Sequence, residues 1–177
     1  MMKEKNCDAS RVYRASRVFP NDFNNHNTLF GGRLLSDMDQ VASISAAKHS
    51  RCECVTVSTD AVEFLKPIHP TDYVCFESFV IWTGNSSMEV CIKVHAENLK
   101  TGEKRLTSIA FFTFVALDEN GKPTKVPKII PETQEELYLF ERAQQRAELR
   151  TAKKNLNKEM ISYLKKETET EPEPISL

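Results

Sequence analysis

Between Cys54 and Leu117 four runs rich in Val, Ile, Phe and Thr follow one another, interrupted only by short turn signals. They cover 54–64, 73–83, 88–98 and 105–117. Pro67 and Pro70-Thr71-Asp72 mark the first connection, Gly84-Asn85-Ser86-Ser87 the second and Lys100-Thr101-Gly102 a hairpin. Asp118-Glu119-Asn120-Gly121 closes the section. Ahead of it, one helical run extends from Gly31-Gly32 to about His49 with no Pro or further Gly to break it. Leu35, Met38, Ala42, Ile44, Ala46 and Ala47 are its apolar positions, and small residues dominate its second half, so another element can pack close against it. A single helix followed by a meander of long antiparallel strands predicts an α+β fold in which the sheet wraps the helix.

The flanks add three elements. Residues 10–19 alternate as a strand that Pro20 ends, and the loop 21–27 is rich in Asn, Asp and His, which favour turns. Pro131-Glu132-Thr133 starts a second helix, with Thr133 and Glu136 spaced as a capping box. It is highly charged to about Lys166 and carries Arg142, Arg146 and Arg150 on one face. The expected division is a single domain at 9–130, a C-terminal charged helix at 131–166 and a disordered acidic tail at 167–177.

Charge and composition narrow the function. The net charge is −1, and the four Glu of residues 167–177 leave the remainder at +3, so no basic field announces nucleic acid. The N-terminus has no apolar leader core and no stretch approaches the roughly 20 apolar residues that span a bilayer. Five scattered cysteines, with Cys52 and Cys54 wrongly spaced for a redox or zinc pair, suit a reducing cytosol. No G-x-S-x-G elbow occurs, and His26, His49, His69 and His95 show no metal spacing.

Three features could carry chemistry. Asp39 shares a helix face with Leu35, Ala42 and Ala46, where a carboxylate must be paired or used, whereas Asp37 points about 200° away and reads as the solvent-facing acid. Asp39 could equally lie at the edge of the apolar stripe and hydrogen-bond a neighbouring strand. Gly31-Gly32 is either a tight turn needing positive φ or a helix start whose bare N–H groups can hold an oxyanion. Asn24, fifteen residues before Asp39, either makes an Asx-turn or orients a water or carbonyl.

Taken together these residues resemble a known family. The stretch Asn24-Asn25-His26-Asn27-Thr28-Leu29-Phe30-Gly31-Gly32-Arg33-Leu34-Leu35-Ser36-Asp37-Met38-Asp39 is similar to the signature of the hotdog-domain acyl-CoA thioester hydrolases, bacterial and tandem-domain cytosolic. Val55-Thr56-Val57-Ser58-Thr59-Asp60 with Phe64-Leu65-Lys66-Pro67, then Asn85-Ser86-Ser87-Met88-Glu89-Val90, and the run 110–117 through Gly121 to Pro127 match in order. The resemblance covers about residues 10–155. It implies a hotdog fold, with a long central helix wrapped by an antiparallel sheet, and a cytoplasmic thioesterase that cleaves acyl-CoA to fatty acid and CoA. It further implies dimers as the minimal active unit, assembled as trimers of dimers, with Asp39 of one subunit facing Asn24 of the other.

In that scheme Asp39 is general base or nucleophile, Asn24 positions the water or carbonyl, and the N–H groups at Gly31 and Gly32 take the oxyanion. No metal or cofactor is expected, CoA being part of the substrate, and a regulatory nucleotide acts on some relatives. For the CoA moiety the candidates are Ser58 and Thr59, the Asn85, Ser86, Ser87 loop, and the cations Lys104, Arg105, Arg142, Arg146 and Arg150. Two alternatives are a non-catalytic acyl-CoA-sensing module and a hotdog dehydratase or hydratase. The first lacks room before Pro20 for a helix-turn-helix. The second needs a histidine near Asp39, and none stands in the helix before His49.

Overall fold

The computed structural model describes residues 4–168. In chain order the strands are β1 (Lys5–Asn6), β2 (Val12–Arg17), β3 (Glu53–Phe64), β4 (Asp72–Thr83), β5 (Ser87–Asn98), β6 (Lys104–Leu117) and β7 (Ile129–Ile130). The helices are α1 (Gly31–Ser50) and α2 (Gln134–Thr168), with short 3₁₀ turns at Cys7–Ser10 and Pro20–Asp22. Five strands form one antiparallel sheet in the order β2-β4-β5-β6-β3, and β1 pairs with β7 in parallel. Two units divide the chain: the first runs to Ala143, and the second, from Gln144, is the described remainder of α2. The expected acidic tail falls outside the described residues from 169 onward, while its first two residues close α2.

The sheet curls round α1. From the helix, Leu34, Met38, Val41, Ala42 and Ala46 are buried against Val74, Phe76, Val80, Val90, Phe112 and Phe114 of the sheet. The close approach expected of small residues is made by a serine pair: Ser45 Oγ lies 2.5 Å from Ser78 Oγ, and Ser78 Oγ donates to the Val41 carbonyl at 3.1 Å. Two hydroxyls meeting over a buried backbone carbonyl satisfy one another where an apolar residue would hold helix and sheet apart. On the opposite face of the sheet the first turn of α2 is clamped by charge. Arg11 reaches Glu77 at 2.5 Å and Glu136 at 2.7 Å with its guanidinium 3.9 Å over the Phe79 ring, and Lys93 joins Glu135 at 3.0 Å. Burial opposes the Arg11 charge, and the carboxylates of Asp8 and Glu77 more than restore it. The capping box is formed as the spacing predicts, Glu136 N–H donating to Thr133 Oγ1 and the Glu136 carboxylate accepting from Thr133 N–H, both at 3.2 Å.

One helix face departs from expectation. Asp37, expected in solvent, is 7% exposed and lies between Arg14 at 3.1 Å and Arg33 at 3.3 Å. Leu35, Ile44 and Ala47, expected to be covered, are exposed. The spacing of apolar residues fixes which side chains share a face, but the sheet took the neighbouring azimuth because β2 supplies Arg14 to receive Asp37. A second uncovered surface adjoins it: β3 ends the strand order and exposes Val55 and Val57.

His49, at the last turn of α1, is fully buried with Nε2 2.8 Å from the Pro127 carbonyl, while Nδ1 has no hydrogen-bond partner among the described residues. Desolvation by burial lowers its pKa from 6.5. The unfolded chain therefore takes up this proton first, and stability should fall as pH drops below about 6.5. Partly buried His95, held down also by Lys104 and Lys93, adds to the same slope. Thermal melts between pH 7.5 and 5.5 should lose less Tm in His49→Gln, which keeps a donor for Pro127 but cannot charge; an unchanged slope would exclude His49 as its source.

Candidate active site

Asp39 and the start of α1 are set by one helix and two loops. In loop 23–29 the Phe23 and Leu29 backbones bridge, and Asn24 organises what lies between. Its Oδ1 accepts from the His26 N–H at 2.9 Å and the Thr28 N–H at 3.2 Å, and its Nδ2 donates to Thr28 Oγ1 at 2.9 Å. The Asx-turn alternative is thus what the side chain does within the subunit. An amide NH₂ has two donors, however, and Thr28 takes one. The loop delivers the chain to Phe30, whose carbonyl accepts the first helical bond from Leu34 at 3.1 Å.

Gly31 and Gly32 are the first two residues of α1, and neither has positive φ, so the tight-turn alternative falls. A Cβ at Gly32 would stand 2.6 Å from the Phe30 ring, which folds over the helix start. Among the described residues no side chain caps this end, and the first turn holds no acid, so the leading N–H groups carry the positive end of the helix dipole.

Asp39 sits two turns further along, half-exposed, on the uncovered side of α1. Thr56 Oγ1 on β3 donates to its Oδ1 at 2.8 Å. The carboxylate therefore lies at the edge of the apolar stripe, bonded to a neighbouring strand. Thr56 faces Phe114 across the β3–β6 ladder, and β3 is irregular between Thr56 and Ser58, which re-aims the strand at this point. Sequence alone does not single out Thr56: a hydroxyl in a strand carries no signal of which acid it will meet seventeen residues away in the chain.

Beside the helix start opens a cleft of about 250 Å³, with Leu29, Gly31 and Leu34 on one side and Phe64, Leu65 and Ile68 on the other. Loop 66–72 behind it is held by Asp72, which is buried. Asp72 pairs with Arg105 at 2.5 Å and accepts from the His69 N–H at 2.7 Å, and Arg105 also donates to the Pro67 carbonyl at 3.1 Å.

Within one subunit the residues expected to hold CoA are spread over the sheet and α2. Ser58 Oγ turns to Asp60 at 3.1 Å, while Thr59 is exposed. The 85–87 turn is pinned through its backbone, the Asn85 carbonyl to Val126 N–H and the Ser86 carbonyl to Ala116 N–H, both at 3.0 Å. Ser87 pairs with Val115, and Arg105 lies ten residues away at the other end of β6, about 30 Å along the strand. Lys104 is exposed at that same end, and Arg142 is exposed in the first turns of α2. Arg146 and Arg150 belong to the second unit, a helix described by itself. Among the described residues no group of three His, Cys, Asp or Glu could hold a metal ion, and no helix is long and apolar enough to cross a membrane.

The family model for the Thioesterase superfamily matches residues 26–103, the span from loop 23–29 through β5. An uncharacterised acyl-CoA thioester hydrolase of Bacillus subtilis is 55% identical over 158 residues, 89% of this chain and 92% of that protein. The acyl-CoA hydrolase of Staphylococcus aureus, solved with butyryl coenzyme A, coenzyme A and coenzyme A disulfide, is 40% identical with a TM-score of 0.87 over 91% of this chain and 98% of that one. Three further structures of that enzyme carry alanine for an asparagine, an aspartate and a threonine. A hexameric acyl-CoA thioesterase in its apo form is 41% identical, with a TM-score of 0.83 over 86% of this chain and 97% of that one.

Proposed function

Because the chain belongs to the acyl-CoA thioester hydrolases of the thioesterase superfamily, we propose that it cleaves acyl-CoA to fatty acid and CoA in a site shared between two copies. The observation that carries this is the Asp39–Thr56 pair, a carboxylate held at 2.8 Å on an uncovered face of helix and edge strand. Asp39 stands eight residues from Gly31, about 12 Å along the helix, too far for both to reach one carbonyl in the same subunit. A second copy docked on exposed Val55, Val57 and Leu35 would bring its own Asn24 and helix start to this Asp39.

The chemistry then divides between the two copies. The thioester oxygen rests at the N–H groups near Gly31 and Gly32, and Asn24 offers its second amide N–H to the oxygen or to the water. Asp39 takes a proton from that water as its oxygen attacks the carbonyl carbon. The tetrahedral oxyanion collapses with cleavage of the C–S bond, and the CoA thiolate leaves and takes up the proton that Asp39 had removed from water, which restores the carboxylate. General-base catalysis of this kind contributes about 10²–10⁴-fold and an oxyanion hole about 10²–10³-fold. No metal or redox cofactor has a part in this scheme. The alanine variants of the Staphylococcus aureus enzyme support the choice of residues, since their separations of fifteen and seventeen positions are those of Asn24, Asp39 and Thr56. The hexameric relative supports a trimer of such dimers, and five free cysteines suit the cytoplasm.

Mixing subunits tests the shared site. Asn24→Ala and Asp39→Ala should each be inactive alone. A random mixture should recover about a quarter of wild-type activity, since half the dimers are mixed and each holds one intact site of two. No recovery in demonstrated mixed dimers would place both residues in one subunit's site. Thr56→Val removes the hydroxyl that orients the carboxylate and should lower kcat about tenfold to hundredfold with little change in KM, while Thr56→Ser restores most of it. A Thr56→Val enzyme with wild-type kcat would leave the hydroxyl no part in positioning Asp39.

A further inference from the structure

We infer that the cleft beside the start of α1 holds the acyl chain and that Phe64 sets how long that chain can be, which rests on acyl-CoA being the substrate as proposed above. The cleft includes Gly31, so it opens where the thioester oxygen would meet the helix N–H groups. Its walls are Leu29 and Leu34 on one side and Phe64, Leu65 and Ile68 on the other. A hydrocarbon chain gains about fourfold in binding for each methylene buried against such walls. Pantetheine, with two amides to satisfy, suits them poorly. The hydroxyl of Thr28 in the lining is already engaged with Asn24, and the charged Lys66 is exposed to solvent.

Phe64 is the last residue of β3, and its side chain is out of place for a core residue: it is 56% exposed. Its ring edge lies 3.7 Å from where a Cβ on Gly31 would stand, so it forms a wall against the helix start. Leu34, across the cleft, is buried in the core, whereas Phe64 and Leu65 are both more than half exposed, and of these two Phe64 is the one that stands against Gly31. The cleft, about 250 Å³, is open to solvent on one side, so a chain longer than its walls must leave them and gains no further burial.

The experiment measures kcat/KM for straight-chain acyl-CoAs from about four to sixteen carbons, together with inhibition by free CoA, for wild type, Phe64→Ala and Phe64→Trp. Wild type should gain with each added methylene until the chain outruns the walls of the cleft, and then level off. The break should move to longer chains in Phe64→Ala and to shorter chains in Phe64→Trp, with the CoA inhibition constant unchanged within about twofold. Opposite shifts from two substitutions at one exposed position distinguish a wall from a general loss of fold. A break that stays put in both variants overturns the assignment, and a change confined to CoA inhibition assigns the cleft to pantetheine instead. If wild type cleaves none of the series the hydrolase proposal itself fails, whereas cleavage with an unmoved break defeats only the role of Phe64.

Discussion

Asp39→Asn should lower kcat by about 10²–10⁴-fold while leaving the oligomer and its melting temperature intact. The amide fills the space of the carboxylate, and its oxygen can still accept the 2.8 Å hydrogen bond from Thr56, so packing has no reason to change. What is lost is the capacity to take a proton from water. Thiol release on saturating acyl-CoA reads the effect directly, and a kcat within a few-fold of wild type would remove Asp39 from the reaction. Asp37→Asn is the informative control. That carboxylate lies between Arg14 and Arg33 in a buried position, so its loss should appear in stability far more than in turnover.

Asp72→Ala should be the most destabilising single change near the site. It strips the partner from Arg105, whose side chain is largely buried, and removes the acceptor for the His69 N–H that shapes loop 66–72. Breaking one side of such a pair costs about 3–5 kcal/mol, and at about 2–4 °C per kcal/mol for a chain of this size Tm should drop by about 6–20 °C. Asp72→Ala with Arg105→Met should recover part of the loss, because no uncompensated guanidinium then remains. A single variant that melts with wild type would mean that water replaces the carboxylate without penalty.

Much of this protein was legible in one dimension. Strands rich in Val, Ile and Phe between Pro, Gly and Asn turns placed β3 to β6 to within a residue or two, since each turn residue forbids what the strand on either side requires. The capping box at Thr133 and the close-packed second half of α1 were equally local, because spacing along one helix decides both.

What the tertiary structure alone decided is which way things face. Helical periodicity fixes the angle between Asp37 and Asp39 but not which of the two meets the sheet, and the arginine on β2 resolved that in favour of Asp37. The partner of Asp39 lies on β3, at a place set by strand order and a bulge, neither of which is written in the spacing of Thr56. Arg105, a phosphate candidate by charge, is paired with Asp72 within the subunit, a partner that chain order does not announce, since an isolated buried carboxylate would cost more than the pair. Local spacing determined the elements, while long-range pairing of charges and edges determined their orientation, since those energies depend on distances that the chain order does not contain.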